Sequence, residues 1–150
     1  MKLLLFVSTL FLLAASANAQ SVSGSVTGGS VTRGSKARGV VTMSIPSGLH
    51  VNSNRPSSQY AIATTVKVSS SGVTTSTVTY PRGANRKFDF SEDTINVYEG
   101  TVRFPFSITV PKSFSGNVVR VRATVRYQAC TNEVCYPPKT KEITFTAKVL

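Results

Sequence analysis

Along most of the chain apolar and polar side chains alternate one for one, the pattern of strands with one face buried and the other in water. Val41, Met43 and Ile45 alternate up to a Pro46-Ser47-Gly48 turn; Ile62, Thr64, Val66 and Val68 follow, then a stretch from Val73 to Tyr80 that stops at Pro81-Arg82-Gly83. Val102, Phe104, Phe106, Ile108 and Val110 share one face against Arg103, Pro105, Ser107 and Thr109 on the other. Val119, Val121, Ala123, Val125, Tyr127 and Ala129 alternate with Arg120, Arg122, Thr124, Arg126 and Gln128, and a last strand carries Ile143, Phe145, Ala147 and Val149. No stretch has a convincing helical period. About seven short strands separated by turn residues predict an all-β domain, an immunoglobulin-like antiparallel β-sandwich. Pro105 has no ladder donor, so its strand is expected to lie at an edge or to bulge there.

The first 37 residues read differently. Lys2, the apolar run Leu3 to Leu13 and the small residues Ala17-Asn18-Ala19 make a secretory signal peptide of residues 1–19, with the mature chain starting at Gln20. Glutamine at position 20 offers no thiol for a lipid anchor. No later apolar run approaches the roughly 18 to 20 residues of a membrane span. The expected product is soluble and exported, to the periplasm or beyond it, where disulfides form. Residues 20–37 are mostly Ser, Gly, Thr and Val, and this composition predicts a flexible leader. Residues 38–150 are then a single folded domain.

Removing residues 1–19 takes away one lysine and leaves 16 basic against 6 acidic side chains, a net charge of +10. Such a balance favours acidic partners and long-range steering. An exported chain with none of the recognised nucleic-acid motifs is not expected to bind nucleic acid. Arg120, Arg122 and Arg126 share one strand face, a solvated face first and a docking surface for an acidic partner second.

Cys130 and Cys135 are the only cysteines, five positions apart in Tyr127-Gln128-Ala129-Cys130-Thr131-Asn132-Glu133-Val134-Cys135-Tyr136-Pro137-Pro138. They fall at the join between two strands, so a bond between them closes a hairpin. A loop this short removes only about 2 kcal/mol of unfolded-state entropy, little reason to keep a structural staple. An immunoglobulin disulfide, in contrast, bridges two sheets between residues far apart in sequence. On spacing alone a redox-active pair, a hairpin staple and a metal site all remain open. Zinc needs three or four ligands and a hydrolytic triad needs a histidine base, and the chain has one histidine, His50, far away in sequence. No cofactor or metal is therefore expected. His50 and the Asn52-Ser53-Asn54 cluster read as builders of hydrogen-bonded turns.

The run Tyr127 to Cys130, followed by Cys135-Tyr136-Pro137-Pro138-Lys139-Thr140, resembles the active-site hairpin of the N-terminal domain of the thiol:disulfide interchange protein DsbD, or disulfide bond corrector family. Pro46-Ser47-Gly48-Leu49-His50-Val51-Asn52-Ser53-Asn54-Arg55-Pro56 is similar to that family's Gly-x-His-x-Asn-Ser-Asn-x-Pro stretch. Val78-Thr79-Tyr80-Pro81 and Val97-Tyr98-Glu99-Gly100 are similar to its middle strands, so the resemblance spans about residues 38 to 149.

The resemblance implies an immunoglobulin-like carrier of electrons by thiol–disulfide exchange, a disulfide reductase activity. In that family the domain is reduced by a thioredoxin-like domain fed through a membrane-embedded section, and passes electrons to periplasmic thioredoxin-fold proteins, including disulfide isomerases and cytochrome c maturation factors. The second cysteine forms the mixed disulfide, which maps to Cys135, with Cys130 as the resolving partner. A cap loop with an acidic residue beside a Phe maps to Asp89 and Phe90, with Phe88 as the alternative; core packing explains either ring equally well. Tyr127 and Tyr136 flank the cysteines as candidate walls of the site or as half-buried packing. The stiff Tyr136-Pro137-Pro138 stretch is expected to hold the Cys135 side open, while Cys130 continues a core-facing alternation.

The sequence departs from the family in two ways. It ends at Leu150 without a membrane section or a thioredoxin-like domain, so its electron donor is expected to be another polypeptide. Its inter-cysteine loop is also one residue shorter. The competing reading is an exported immunoglobulin-like binding or structural module whose hairpin is stapled.

Overall fold

Residues whose side chains alternate most regularly make the longest strands. The computed structural model describes residues 20–150; the expected signal peptide lies outside the described residues. In chain order the strands are β1 (Ser21–Val26), β2 (Ser30–Val31), β3 (Lys36–Ser44), β4 (His50–Asn52), β5 (Thr65–Ser70), β6 (Thr74–Thr75), β7 (Ala84–Arg86), β8 (Ile95–Tyr98), β9 (Thr101–Thr109), β10 (Val118–Tyr127), β11 (Ala129–Cys130) and β12 (Lys139–Val149). Of the four longest, β9, β10 and β12 carry the clearest alternation, and β3 is the fourth.

One sheet has the order β1-β3-β9-β6 and a second the order β2-β12-β10-β5. Their inner faces share one core, with Val41 and Met43 of β3 and Phe104 and Ile108 of β9 against Val121 and Val125 of β10 and Ala147 and Val149 of β12. This is the immunoglobulin-like β-sandwich that the alternation predicts. Tyr80 and Tyr98 meet the Phe104 ring edge-on, with centroids 5.7 and 5.9 Å away.

A third, shorter sheet, β11-β4-β8-β7, is built from continuations of strands in the other two. The β3–β9 ladder ends at Ser44↔Thr101, and beyond the Pro46-Ser47-Gly48 turn the same two chain segments pair again as β4 and β8. Gly100, at φ +65°, turns β8 into β9 and accepts the Ile45 amide at 2.8 Å. From the other sheet, β10 crosses at Gln128 and becomes β11, which pairs with β4.

The segment expected to be a flexible leader is instead structured. β1 pairs with β3 over six positions, from Ser21↔Ser44 to Val26↔Gly39, and after one 3-10 turn (Thr27–Gly29) β2 pairs in parallel with β12 in the opposite sheet. Small side chains are what this position requires. A Cβ on Gly24 would lie 2.2 Å from the ring of Phe145, so only glycine lets the two sheets close at this edge. Val26 and Val31 then complete the core. The composition was informative about close packing, not about disorder.

The expected strand from Val73 to Tyr80 is regular only at β6. Past it, the Ser76 amide donates to the Ser107 carbonyl and the Thr79 amide to the Pro105 carbonyl, so Ser107 and Pro105 turn their backbone polar groups toward this irregular segment. Pro105 therefore presents its missing donor to the side without a regular ladder, which is how an inner strand tolerates it.

Deleting residues 20–31 should lower the chemical denaturation free energy by at least about 3 kcal/mol, since it removes the buried Val26 and Val31 and strips β3 of its neighbour. A dispensable leader would leave the denaturation midpoint unchanged.

Candidate functional site

The cysteine hairpin is placed by register. β11 carries Ala129 and Cys130 opposite Val51 and His50 of β4. Beyond Cys130 the chain reverses: the Thr131 amide donates to the Val134 carbonyl at 2.8 Å, and Thr131 Oγ1 accepts from the amides of Glu133 and Val134 at 3.2 and 3.1 Å. A hydroxyl that takes up the free amides of a tight turn stabilises it locally. The Tyr136 amide then donates to the Ala129 carbonyl at 2.8 Å. These flanking bonds make Cys130 and Cys135 a non-hydrogen-bonded antiparallel pair, where facing residues come closest. The two are joined in a disulfide, their Cα atoms 4.0 Å apart.

The two sulfur-bearing residues differ in access. Cys130 is 0 % exposed, whereas Cys135 is half-buried and lines a cavity of about 230 Å³ together with Asn52, Tyr60, Phe90, Ile95 and Gln128. The exposed side chains of Tyr60, Phe90, Val134 and Tyr136 give this end of the molecule an apolar surface.

Three rings lie parallel beside the hairpin. His50, 2 % exposed, stacks on Phe88 with centroids 4.0 Å apart, and Phe90 lies parallel to Phe88 at 5.2 Å. Phe88 is buried with Ile95 and Val97 in a small second core. Phe90 is 37 % exposed and faces the Cys135 cavity. The turn between the two rings is held by the Ser91 amide donating to the Phe88 carbonyl at 3.1 Å, and the Asp93 amide donating to Ser91 Oγ at 3.2 Å. Asp89 is exposed and borders a groove with Arg86, Lys87, Glu99 and Asn132. Of the two flanking tyrosines, Tyr127 is fully buried in the main core with no partner for its hydroxyl, and burial pushes its pKa up. Tyr136 lies on the surface.

A buried polar clasp sets the geometry of the crossing. Asn52 Nδ2 donates to Gln128 Oε1 at 3.0 Å and to the Ile62 carbonyl at 3.1 Å, and Gln128 Nε2 reaches the Tyr136 carbonyl at 3.3 Å. Thr64 Oγ1 donates to the Asn52 carbonyl at 2.6 Å, Ser53 Oγ accepts the Arg55 amide at 3.0 Å, and the Tyr98 hydroxyl donates to Asn54 Oδ1 at 2.8 Å. The Asn52-Ser53-Asn54 cluster is thus hydrogen-bonded as its composition suggests. His50 behaves differently from that expectation: it belongs to β4, faces Cys130 across the ladder, and its Nε2 is buried without a partner. Burial pushes its pKa below the ordinary 6.5, a shift that the charge of Glu99 partly offsets. The signal for its place was in the sequence, a lone histidine two residues before a strand-facing asparagine, but its partner strand was not. Among the described residues no three His, Cys, Asp or Glu side chains gather as a metal site would need.

Residues 24–147 match the family described as thiol:disulfide interchange protein DsbD, N-terminal. The chain belongs to this family. The match takes in β2 through β11, half of β1 and most of β12, and it includes both cysteines. Among solved structures, the N-terminal periplasmic domain of ScsB from Proteus mirabilis superposes with a TM-score of 0.51 at 12% identity, covering 85% of this chain and 45% of that one. This chain therefore spans under half the length of that relative, and the likeness is one of fold. The Neisseria meningitidis DsbD N-terminal domain in the reduced form gives a TM-score of 0.47 at 17% identity, over 73% of this chain and 80% of that one. No curated protein sequence matches the chain. A disulfide-forming pair in a thiol:disulfide interchange family is consistent with thiol–disulfide exchange.

The buried imidazole gives the fold a pH signature. Its folded pKa is depressed, so its contribution to stability is fully present above the unfolded value near 6.5 and is lost as pH falls through the folded pKa. Denaturation midpoints followed from about pH 7.5 down to about pH 5 should fall through that window, and fall less steeply in His50→Phe. Parallel slopes in the two proteins would mean that the imidazole titrates as if free.

Proposed function

We propose that this domain carries electrons by thiol–disulfide exchange through Cys130 and Cys135, working with thioredoxin-fold proteins as donor and acceptor. The observation that carries this reading is the unequal exposure of one disulfide: a sealed Cys130 bonded to an accessible Cys135 at the mouth of an apolar-rimmed cavity. Exchange requires in-line approach to one sulfur and a protected partner that resolves the mixed disulfide. Cys135 is the sulfur that a partner reaches and Cys130 the resolving one. The exposed Tyr60, Val134 and Tyr136 offer the docking surface around it.

Phe90 is the cap in this reading, since it borders the Cys135 cavity, and Phe88 is the ring that supports it from below. Asp89, between them, faces solvent and is available to a partner. Tyr136 walls the outer side of the site; Tyr127 acts through the core beneath it.

The expected place of work is the periplasm, following export by the signal peptide of residues 1–19. Among the described residues no helix is long and apolar enough to cross a membrane. A separate membrane electron conduit or an exported thioredoxin-like protein would supply the electrons. The staple reading has less support, because the hairpin tip is already tied by the Thr131–Val134 and Tyr136–Ala129 hydrogen bonds on either side of the disulfide.

In Cys130→Ser the mixed disulfide with a thioredoxin-fold partner should accumulate through Cys135, visible as a reducible covalent adduct, while Cys135→Ser should trap little. The reverse pattern would exchange the two roles, and no adduct with either variant, together with a potential well below about −300 mV, would establish a structural staple.

Replacing Phe90 by Ala should accelerate reduction by small thiols several-fold and leave stability within about 1 kcal/mol. Phe88→Ala should instead lose about 3 kcal/mol of stability, as large-to-small changes of buried rings do. Reduction at the unaltered rate in Phe90→Ala would remove the cap.

A further inference from the structure

His50 is a buried titratable group whose ring packs on Phe88 but whose Nε2 has no evident structural task. It is 2 % exposed, its Nε2 has no hydrogen-bond partner, and an unsatisfied buried ring nitrogen is a standing cost to the fold. Phe88 covers one face of the ring at 4.0 Å and fixes its plane. In the β4–β11 ladder His50 is directly opposite Cys130, and directly opposed residues of an antiparallel pair project from the same face of the sheet with their Cβ atoms about 5 Å apart. In the disulfide form the Cys130 sulfur has no proton to offer. On reduction it becomes a thiol with no water to receive its hydrogen bond, since Cys130 is 0 % exposed.

We propose that His50 is the proton acceptor for Cys130 in the exchange cycle. The inference rests on the exchange function argued above and adds a residue and a proton path to it. In the reduced domain the Cys130 thiol donates to Nε2 of a neutral imidazole whose own proton is on Nδ1. Once Cys135 is bonded to a partner's sulfur, the Cys130 proton moves to His50 Nε2 and the Cys130 thiolate attacks the Cys135 sulfur. The Cys130–Cys135 bond forms and the bond from Cys135 to the partner breaks. The partner's sulfur leaves with the electron pair as a thiolate and is protonated by the imidazolium or by solvent. Two electrons have then passed from the domain's dithiol to the partner's disulfide; the same steps in reverse reduce the domain. A low imidazole pKa keeps the ring in the neutral form that can accept a proton.

The charged groups around the ring are few. Glu99, ion-paired to Arg86 at 2.9 Å, acts on it through space, and Lys87 and Asp89 flank Phe88 on the exposed side. Phe88, stacked on the ring, and the Cys130 thiol, opposite it, bring no charge.

Two measurements test the step. Nitrogen-15 NMR of His50 in the intact protein needs no partner: the Nε2 resonance should move between the oxidised and reduced forms, and Cys130→Ala, which leaves no thiol to donate to Nε2, should not show the resonance of the reduced form. An Nε2 resonance that is the same in both forms overturns the proposal. Stopped-flow exchange with a thioredoxin-fold disulfide should show His50→Phe and His50→Gln forming the mixed disulfide through Cys135 at close to the unaltered rate, but resolving it about tenfold or more slowly, with the low-pH limb of the resolution rate lost. Resolution at the unaltered rate and pH profile in both variants also overturns it. Failure of the unaltered protein to form any mixed disulfide would instead bring down the exchange function itself, and this step with it.

Discussion

The position of the site depends on one crossing. At Gln128 the chain leaves the ladder between β5 and β12 and joins β4 in the third sheet, and the side chain of Asn52 fixes that passage by bonding Gln128 Oε1 and the Ile62 carbonyl together. Were β10 to continue straight, Cys130 would remain on the flank of the sandwich. Because it crosses, Cys130 comes opposite His50 of β4, and both Ala129 and Cys130 are buried although they are neighbours in sequence. A buried amide pair of this kind is favourable only when each donor and acceptor is met, and here the network runs on through Thr64 and Tyr136.

The same crossing sets the disulfide apart from the main core of the fold. The main core lies between β3, β9, β10 and β12, and the tip that holds the disulfide is closed by its own hydrogen bonds. A bond spanning four residues adds little to the folding free energy of a chain held in this way. A contribution this small fits a carrier, whose dithiol and disulfide forms must be similar in stability, better than it fits a staple.

The alternation along β9, β10 and β12 made the sandwich legible, because those strands each bury one face in a shared core. The cysteine hairpin was legible for a different reason: the spacing permits few geometries besides a tight turn. What could not be read depended on contacts between distant segments. Gly24 reads in the sequence as part of a loose tail, and only the Phe145 ring, which fills the space above it, accounts for the glycine. Val73 to Tyr80 has strand periodicity, yet the absent amide of Pro105 on the neighbouring strand limits regular pairing to Thr74–Thr75. Phe88 and Phe90 are two residues apart and alike in type, and only the packing of Phe88 against His50 and the opening of Phe90 toward Cys135 tell them apart.

The rings and the cysteines also explain each other. A half-exposed Phe90 has little support from its own loop, but its parallel neighbour Phe88 is anchored by Ile95 and Val97 and by the His50 ring. His50 is in turn held by β4, whose register with β11 sets it opposite Cys130 and whose register with β8 sets Val51 and Asn52 opposite Tyr98 and Val97. One short strand of three residues thus fixes the imidazole, the amide clasp and the base of the ring stack beside the disulfide. A shift of that strand by a single residue would turn His50 to the other face of the sheet, and the sulfur, the imidazole and the ring above it would no longer meet.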